Sequence, residues 1–254
     1  MNKVKSNLDG VSETLLISLW SRAQVIERDT KAKELVEHID YDFSRFEKWK
    51  KHLKYTVIRT NIFDNEVTSF LTSHHDAIVV NIGAGLDTRF FRMDNGQIIW
   101  YELDLPSVIS LRMQFFEETD RYRFISASIT DDVWVHSIRE NDRPILFIAE
   151  GVLMYLEQED IKHFFTQIAD HFSSAELVCE IVGPLGLKFK HPLIKKTHSN
   201  PLLKWGVWNV LDIEKWDTRI KIRTVHELSD SPISFLISKL LGNKILRLQF
   251  IKKK

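Results

Sequence analysis

Short apolar runs rich in Val and Ile, separated by stretches with helical periodicity, dominate the chain after residue 76. The runs that we predict as buried strands are 77–83, 97–104, 122–129, 144–150 and 176–183. The helix-like stretches between them are 106–119, 131–141 and 157–172. This alternation favours an α/β fold with a mostly parallel, doubly wound sheet and helices on both faces. Residues 219–228 and 244–251 are candidates for closing strands, with the helix-like PISFLISKLL between them.

The chain before this region is rich in Lys and Glu and has a helical period. Leu15 and Leu19 recur on one face of the first part, and Ile58 and Ile62 mark the apolar side of the last part. We therefore predict two parts, a helical N-terminal extension over 1–73 that covers the active site and an α/β core over 74–254.

The charge balance gives no global attraction to nucleic acid or anionic lipid. Lys+Arg 35 and Asp+Glu 35 cancel to a formal net charge of +0. The single cysteine, Cys179, excludes an intrachain disulfide and a cysteine-based metal cluster. The N-terminus lacks the apolar stretch of a signal peptide, and no apolar run approaches the roughly 18 residues that span a bilayer. We expect a soluble cytoplasmic protein with no nucleic-acid or membrane partner, whose oligomeric state the sequence leaves open.

The loop after the first predicted strand, in VVNIGAGLDTR (79–89), contains Gly83 and Gly85. Glycines at this point permit a tight turn and let a ligand approach the backbone. Asp87 and Thr88 follow where a dinucleotide-binding loop supplies its last glycine and the helix N-terminus that faces pyrophosphate. A carboxylate is unfavourable beside a pyrophosphate and favourable beside a cation. Asp87 is therefore a candidate to bind a cationic ligand, and an N-cap of the next helix is an equal alternative.

Polar residues also end the next three predicted strands. Asp104 lies 21 residues beyond Gly83, near the spacing of about 20 for an acid that binds ribose hydroxyls. Glu102 points to the same side of that strand, so either acid is a ribose candidate, although Asp104 could instead cap the helix that follows. The remaining candidates are Ser128 and Ile129 at an adenine ring, Glu150 as a buried acid that needs a partner or ligand, and Tyr155 one helical turn later.

Four motifs, in this order and spacing, resemble the leucine carboxyl methyltransferase family: VVNIGAGLDTRFFR, WYELDLP, ITDDVW and AEGVLMYL. That family includes the protein phosphatase 2A methylating enzymes and many bacterial O-methyltransferases of polyketide type. The resemblance runs from about residue 20 to about residue 216. It implies a class I Rossmann-like methyltransferase fold and S-adenosylmethionine as cofactor.

The resemblance also implies roles for particular residues. Arg59, in YTVIRTNIFD, matches the arginine that binds the methionine carboxylate of the cofactor, and Glu150 matches the acid near the methionine amino group. Gly83 matches the loop glycine and Asp104 the ribose-binding acid. Ser128 and Ile129 map onto the pair that flanks adenine, where the family usually carries Asp and Leu. A serine accepts a hydrogen bond more weakly than a carboxylate, which bears on the affinity for the cofactor rather than its identity.

The chemistry of this cofactor agrees with the residues. S-adenosylmethionine carries a sulfonium cation, an ammonium and a carboxylate but no phosphate, so it needs acids, one arginine and no pyrophosphate cradle. A carboxylate acceptor is ionised near neutral pH, whereas a phenol, with a pKa of about 10, benefits from a base. No histidine forms a convincing base constellation, and we expect no metal. Tyr155 is the candidate on the substrate side.

The acceptor remains open in the sequence. The stretch 184–217 is rich in Lys, Trp and Phe, which suits a lid over an aromatic or acidic small molecule and equally suits an ordinary loop. We predict an S-adenosylmethionine-dependent O-methyltransferase acting on a carboxyl or phenolic oxygen of a small molecule. The alternatives are methylation of a protein C-terminus, a non-catalytic cofactor-binding protein, and an NAD-dependent oxidoreductase, which the missing third glycine and Asp87 disfavour.

Overall fold

The computed structural model describes residues 3–5, 8, 10–50, 53–139, 143–188, 201–229 and 242–251. Its strands are β1 Val4–Lys5, β2 Ile39–Asp40, β3 Ile78–Ile82, β4 Ile99–Asp104, β5 Tyr122–Ser126, β6 Ile145–Ala149, β7 Glu176–Ile181, β8 Ile220–Glu227 and β9 Lys244–Phe250. All the strands predicted from the apolar runs are confirmed, with somewhat shorter bounds. The pair formed by β1 and β2 was not predicted, because two-residue strands leave no period in the sequence.

The central sheet has the order β5-β4-β3-β6-β7-β9-β8. The pairs from β5 across to β7 are parallel, whereas β9 runs antiparallel to both β7 and β8. Every residue of β3 and β6 is buried, as is usual for inner strands covered on both faces. The predicted doubly wound, mostly parallel α/β sheet is therefore confirmed.

The helices are α1 Leu15–Val25, α2 Thr30–His38, α3 Ser44–Glu47, α4 Lys54–Ser73, α5 Phe90–Met93, α6 Pro106–Arg112, α7 Val133–Ser137, α8 Gln158–His171 and α9 Pro184–Lys188. The predicted helix over 106–119 is wrong in its second half. The amides of Phe115 and Phe116 both bond to the carbonyl of Arg112, in turns that end the regular helical pattern. The helix-like PISFLISKLL lies outside the described residues, as does most of the first half of the predicted lid.

Helices cover the two faces of the sheet. Ile78 and Val80 of β3 belong to a core cluster with α7 and α8, whereas Val79 packs in the cluster that contains apolar residues of α1, α2 and α4. The alternation of side chains along the strand produces this division. The N-terminal helices therefore bury one face of the sheet. Within the described ranges, no helix is long and apolar enough to cross a membrane.

The order of strands reverses at β3, which has β4 on one side and β6 on the other. In open parallel sheets the loops at such a point separate, one leading to each face, and leave a crevice at the carboxyl ends of the strands. Gly83, Asp104 and Glu150 stand at or just after the ends of these strands. The topology therefore brings together residues that are up to 67 positions apart in the chain.

Candidate active site

The carboxyl ends of β3, β4 and β6 open into a cavity of about 870 Å³, within the range of roughly 300–1,000 Å³ that small-molecule sites occupy. It is lined by the loops after these strands, by Glu180 of β7 and by residues of α1 and α4. Nine of the candidate residues predicted from the sequence line it: Arg59, Gly83, Gly85, Asp87, Asp104, Ser128, Ile129, Glu150 and Tyr155. Their individual contacts with a ligand remain predictions.

The loop after β3 requires its glycines. Gly83 has φ +59° and Gly85 has φ +51°, a backbone conformation that other residues rarely adopt. A Cβ on Gly83 would collide with the side chain of Val152, and one on Gly85 would lie 3.0 Å from Cβ of Leu15. The amide of Gly85 donates to Oδ2 of Asp104 at 2.7 Å, which fixes the loop against β4. The loop therefore presents bare backbone to the cavity.

Asp104 is well placed for hydroxyl groups. Its Oδ1 accepts the amide of Leu105 at 2.7 Å, so each carboxylate oxygen accepts one backbone hydrogen bond. Burial raises the pKa of Asp104 above its usual value, and these two hydrogen bonds oppose the increase. Since a carboxylate has about four lone-pair sites, it retains capacity for a ligand such as a ribose.

The start of α5 is not open to a phosphate. Asp87 Oδ1 accepts the amide of Arg89 at 3.0 Å, and its carboxylate also pairs with the guanidinium of Arg89 and accepts from Asn81 Nδ2 at 3.2 Å. Burial opposes ionisation, but Arg89, followed by Arg22, outweighs it and holds the pKa of Asp87 well below its usual value. The N-cap alternative considered for Asp87 is wrong, because the N-cap residue of α5 is Arg89 and no side chain caps the helix. The negative charge of Asp87 disfavours pyrophosphate at this position.

Arg59 joins two carboxylates at the cavity. Its Nε lies 2.9 Å from Oε1 of Glu150, and its Nη1 donates to Oε2 of Glu180 at 3.2 Å. Nη2 makes a longer contact, 3.4 Å, with Oγ of Ser18. Glu150 is bound on its other side by Nη2 of Arg89 at 2.6 Å. A chain of alternating charges, Glu180–Arg59–Glu150–Arg89, therefore borders the cavity.

These pairs keep both members charged. Burial disfavours the charge of Arg59, but Glu180 and Glu150 outweigh burial and raise its pKa. Burial likewise disfavours ionised Glu150, yet the guanidinium groups of Arg59 and Arg89 lower its pKa. The site thus offers an ionised acid for an ammonium group and a guanidinium for a carboxylate.

The predicted adenine residues follow β5. Ile129 is buried, whereas Oγ of Ser128 lies 2.7 Å from Oγ1 of Thr130 and accepts the amide of Thr130 at 3.2 Å. The Ser128 hydroxyl is therefore occupied locally, as part of a turn that Asp131 closes by accepting the amide of Ser128 at 3.2 Å. This leaves a weaker polar contact for an aromatic amine than a carboxylate would provide.

Tyr155 lies in the short 3-10 helix Leu153–Tyr155, next to the loop that carries Glu150. Burial raises the pKa of its hydroxyl, and a hydrogen bond with Thr14 opposes the increase. Tyr155 is thus a neutral hydroxyl between the strand-end loops and the segment that precedes α1.

One interpretation from the sequence is wrong. Glu102 is fully buried and does not line the cavity. Its carboxylate instead accepts from Arg112 Nη2 and Asn81 Nδ2, each at 2.8 Å. Burial raises its pKa to about 7, with the Arg112 guanidinium acting in the opposite direction. Glu102 has its partners inside the protein and is not available to a ribose.

Tyr55 and Glu180 are polar lining residues that were not singled out from the sequence. Tyr55 donates its hydroxyl to Oε1 of Glu180 at 2.5 Å, and both residues line the cavity. Glu180 offered a signal, because an acid inside the apolar run 176–183 is costly to bury without a partner. Tyr55 offered none, since its partner is 125 residues away in the chain.

The parallel sheet with its antiparallel β9, and the cavity at its switch point with a carboxylate at the start of α5, are the features of a class I Rossmann-like methyltransferase. The family model of leucine carboxyl methyltransferase matches residues 11–169, so the chain belongs to that family. One relative is the tetracenomycin polyketide synthesis O-methyltransferase TcmP of Streptomyces glaucescens, 33% identical over 89% of this chain and 86% of TcmP. Another is the S-adenosyl-L-methionine-dependent methyltransferase dpfgK of Gibberella zeae, 26% identical over 87% of this chain and 82% of dpfgK.

A solved structure agrees with the fold. A Thermobifida fusca protein provisionally named a methyltransferase superimposes with a TM-score of 0.64 at 15% identity, over 93% of this chain and 95% of the other. The family membership makes the protein an S-adenosylmethionine-dependent methyltransferase, and the solved structure agrees with its fold.

The lining residues fit this cofactor. The glycines let the loop after β3 pack closely against Val152 and Leu15, and Asp104, Glu150 and Arg59 supply the charges that a ribose, an ammonium and a carboxylate require. Ser21 lines the cavity, and its buried Oγ has no hydrogen-bond partner within the described part of the chain.

Proposed function

We propose that the protein transfers a methyl group from S-adenosylmethionine to an oxygen atom, carboxyl or phenolic, of a small molecule. The observation that carries the proposal is that one cavity is bordered by the row of ion pairs that includes Arg59 and also has a large apolar lining. The apolar lining comes from the N-terminal segment and from residues beyond β6, and includes Leu15, Ile58, Met154, Leu156 and Leu203. Such a surface suits an organic acceptor beside the cofactor. The name of TcmP supports oxygen as the acceptor atom.

In this proposal Arg59 holds the methionine carboxylate, Glu150 the ammonium group and Asp104 the ribose hydroxyls. Ser128 and Ile129 flank the adenine. When bound, the cofactor supplies an electrophilic methyl group on a positively charged sulfur. The protein aligns the acceptor oxygen with that methyl group and excludes water, because in-line displacement depends on orientation. We further propose that residues 1–73 and the segment 184–217 cover the acceptor, and that Tyr155 contacts it.

Calorimetric titration tests the cofactor site. We expect S-adenosylmethionine and S-adenosylhomocysteine to bind the wild-type protein with micromolar affinity, on the order of −8 kcal/mol, and NAD to show no binding. Arg59→Ala should weaken both affinities by about 100-fold, since it removes a charge-assisted contact and leaves Glu180 and Glu150 without their shared partner. Arg121→Ala, which removes an exposed pair with Asp94, is the matched control.

Other results would redirect the proposal. Binding of NAD alone would return the glycine loop to a dinucleotide function. Binding of the cofactor without transfer of labelled methyl to any small molecule would favour a non-catalytic protein. Transfer to a peptide C-terminus but to no small molecule would favour the alternative that the family also contains.

A further inference from the structure

Glu180 lies between Tyr55 and Arg59 at the wall of the cavity. The Tyr55 hydroxyl donates to Oε1 of Glu180 at 2.5 Å, and Nη1 of Arg59 donates to Oε2 at 3.2 Å. Tyr55 and Arg59 are one helical turn apart on α4, so their side chains share a face. The carboxylate of Glu180, on β7, is therefore held from α4 through both of its oxygens.

The contact of Arg59 with Glu150 is of a different kind. Nε of Arg59 lies 2.9 Å from Oε1 of Glu150, yet it makes no hydrogen bond with any atom of the described ranges. The two groups attract each other by charge, but they do not form the fork of two parallel hydrogen bonds that guanidinium and carboxylate can make. The other oxygen of Glu150 accepts instead from Nη2 of Arg89 at 2.6 Å. Of the two acids, Glu180 therefore determines the orientation of the Arg59 guanidinium.

This orientation leaves Nη2 of Arg59 as the nitrogen that neither acid holds. Among the described residues, its hydrogen bond is the long contact of 3.4 Å with Oγ of Ser18, and both residues line the cavity. A terminal guanidinium nitrogen carries two N–H groups, and a serine hydroxyl that accepts one bond still has a proton to donate. Nη2 and the Ser18 hydroxyl are thus two neighbouring donors, which suits a carboxylate.

The charges along this wall balance. The chain Glu180–Arg59–Glu150–Arg89 contains two carboxylates and two guanidiniums, so Glu180 gives it no excess of negative charge. The effect of Glu180 on a bound carboxylate then depends on where it holds Arg59. We infer that Glu180, fixed by Tyr55, is a positioning residue that keeps Nη2 of Arg59 beside Ser18, where the carboxylate of the cofactor binds. The inference rests on the proposed function and names the residues that orient the methionine end of its site.

Glu150 is the competitor for the same guanidinium. Loss of Glu180 would remove the acceptor of Nη1, and a rotation of the Arg59 guanidinium could then place Nε and Nη2 in a bidentate pair with Glu150. Nη2 would be occupied and turned away from Ser18, so a ligand would have to break that pair before it could bind. Preorganisation by Glu180 avoids this cost.

Tyr55 remains a donor to Glu180 near neutral pH. Burial, followed by the charge of Glu180, raises the pKa of Tyr55 well above its usual value, while Arg59 acts in the opposite direction. The Tyr55 hydroxyl therefore stays protonated and holds Oε1, which leaves Oε2 for Arg59.

Calorimetry with two ligands tests the positioning role. The ligands are S-adenosylhomocysteine and its decarboxylated analogue, which keeps the amine and lacks the carboxylate. The quantity compared is the ratio of the two affinities, because contacts with the adenine, the ribose and the amine contribute to both and cancel. We expect the wild-type protein to bind S-adenosylhomocysteine about 100-fold more tightly than the analogue.

The two variants should lower this ratio, Glu180→Gln about tenfold and Tyr55→Phe about threefold, because each loosens the guanidinium of Arg59. The loss of the Glu180 charge alone would have the opposite effect, since one fewer carboxylate beside Arg59 favours an added one. A merely structural role would weaken both ligands equally and leave the ratio unchanged. A ratio that rises or stays constant in Glu180→Gln would therefore overturn the inference.

Matched controls lie outside the cavity. Glu176→Gln removes a carboxylate from the same strand, where it pairs with Arg247, and Tyr101→Phe removes a hydroxyl at a separate surface. Neither change should alter the ratio. If Glu180→Gln fails to fold, as judged by circular dichroism, Tyr55→Phe decides the outcome, and an unchanged ratio there overturns the inference.

Failure of this inference differs from failure of the proposed function. If S-adenosylhomocysteine binds but the wild-type protein does not prefer it to the analogue, or if both variants keep the wild-type ratio, the positioning role is wrong and the proposed methyl transfer stands. If S-adenosylhomocysteine does not bind the wild-type protein, the proposed function itself is wrong.

Discussion

Ser128, which we propose flanks the adenine of the cofactor, is a residue whose replacement should increase the affinity for the cofactor. Its hydroxyl is occupied by Thr130, at 2.7 Å from Oγ1. A carboxylate there would accept from the adenine amine as a charged acceptor, which is roughly twice as strong. We expect Ser128→Asp to tighten S-adenosylhomocysteine binding about fivefold, or about 1 kcal/mol. Calorimetry measures this, with the neutral Ser128→Asn as the comparison. Equal affinities in the two variants would count against an adenine contact.

The residues of the cavity differ in how far sequence could reveal them. Asp104 and Glu150 were predictable because each stands at or just after the end of an apolar run, and parallel strands bring such ends together. Glu102 was misassigned by the same reasoning, since a strand end does not tell whether an acid faces the cavity or the neighbouring Arg112. Tyr55 could not be found, because its significance depends on Glu180, a partner on another element.

At the scale of elements, the turn after β3 determines the shape of the site. Gly83 has φ +59° and its missing Cβ leaves room for Val152, while Gly96 has φ +83° with nothing within 4 Å of a Cβ. Replacing either glycine by alanine costs about 1–2 kcal/mol for the left-handed backbone. Only Gly83→Ala adds a collision with Val152, so it should destabilise the protein further and weaken cofactor binding. Urea denaturation and calorimetry on both variants check this. Equal losses of stability in the two variants would exclude a steric contribution from the collision with Val152.

The strands of the sheet were more predictable than the ends of the helices. A run such as 77–83 is apolar because β3 is covered on both faces, so sequence and burial correspond directly. The stop of α6 at Arg112 depends instead on tertiary contacts, for the Arg112 side chain is fully buried against the carbonyl of Gly85, at 2.7 Å, and against Glu102. The helical periodicity of a sequence carries no information about contacts with a loop that is distant in the chain.

At the scale of the whole molecule, buried ion pairs join the N-terminal helices to the α/β core. Asp64 of α4 binds Nε of Arg89 at 2.8 Å and Nη2 of Arg92 at 3.1 Å. Thr88 donates to Asp29, just before α2, at 2.6 Å. Removing one member of such a pair leaves a buried charge and costs about 3–5 kcal/mol. We therefore propose that the N-terminal extension 1–73 and the core 74–254 unfold as one cooperative unit.

Low pH should unfold the N-terminal extension and the core together. Arg89 and neighbouring arginines outweigh burial and lower the pKa values of Asp64, Asp87 and Glu150. For these three groups the unfolded chain binds more protons than the folded chain below about pH 4.5, so their contribution to stability is complete near neutral pH and is lost as pH decreases further, by up to about 1.4 kcal/mol per pH unit for each group. The raised pKa values of Glu102 and Asp104 act in the opposite direction between pH 7 and about pH 4. Urea denaturation from about pH 4.5 to about pH 2 should show this loss, and Glu159→Gln, an exposed acid, should leave it unchanged.

Hydrogen exchange followed by mass spectrometry over the same pH range measures the cooperativity directly. Amides of α4 and amides of β3 and β6 should lose protection together, because Asp64 connects α4 to the loop after β3 through Arg89. Loss of protection in α4 at a higher pH than in β3 would contradict a single unit. It would mean that the buried pairs position the extension over the cavity while the apolar packing of the sheet alone holds the core.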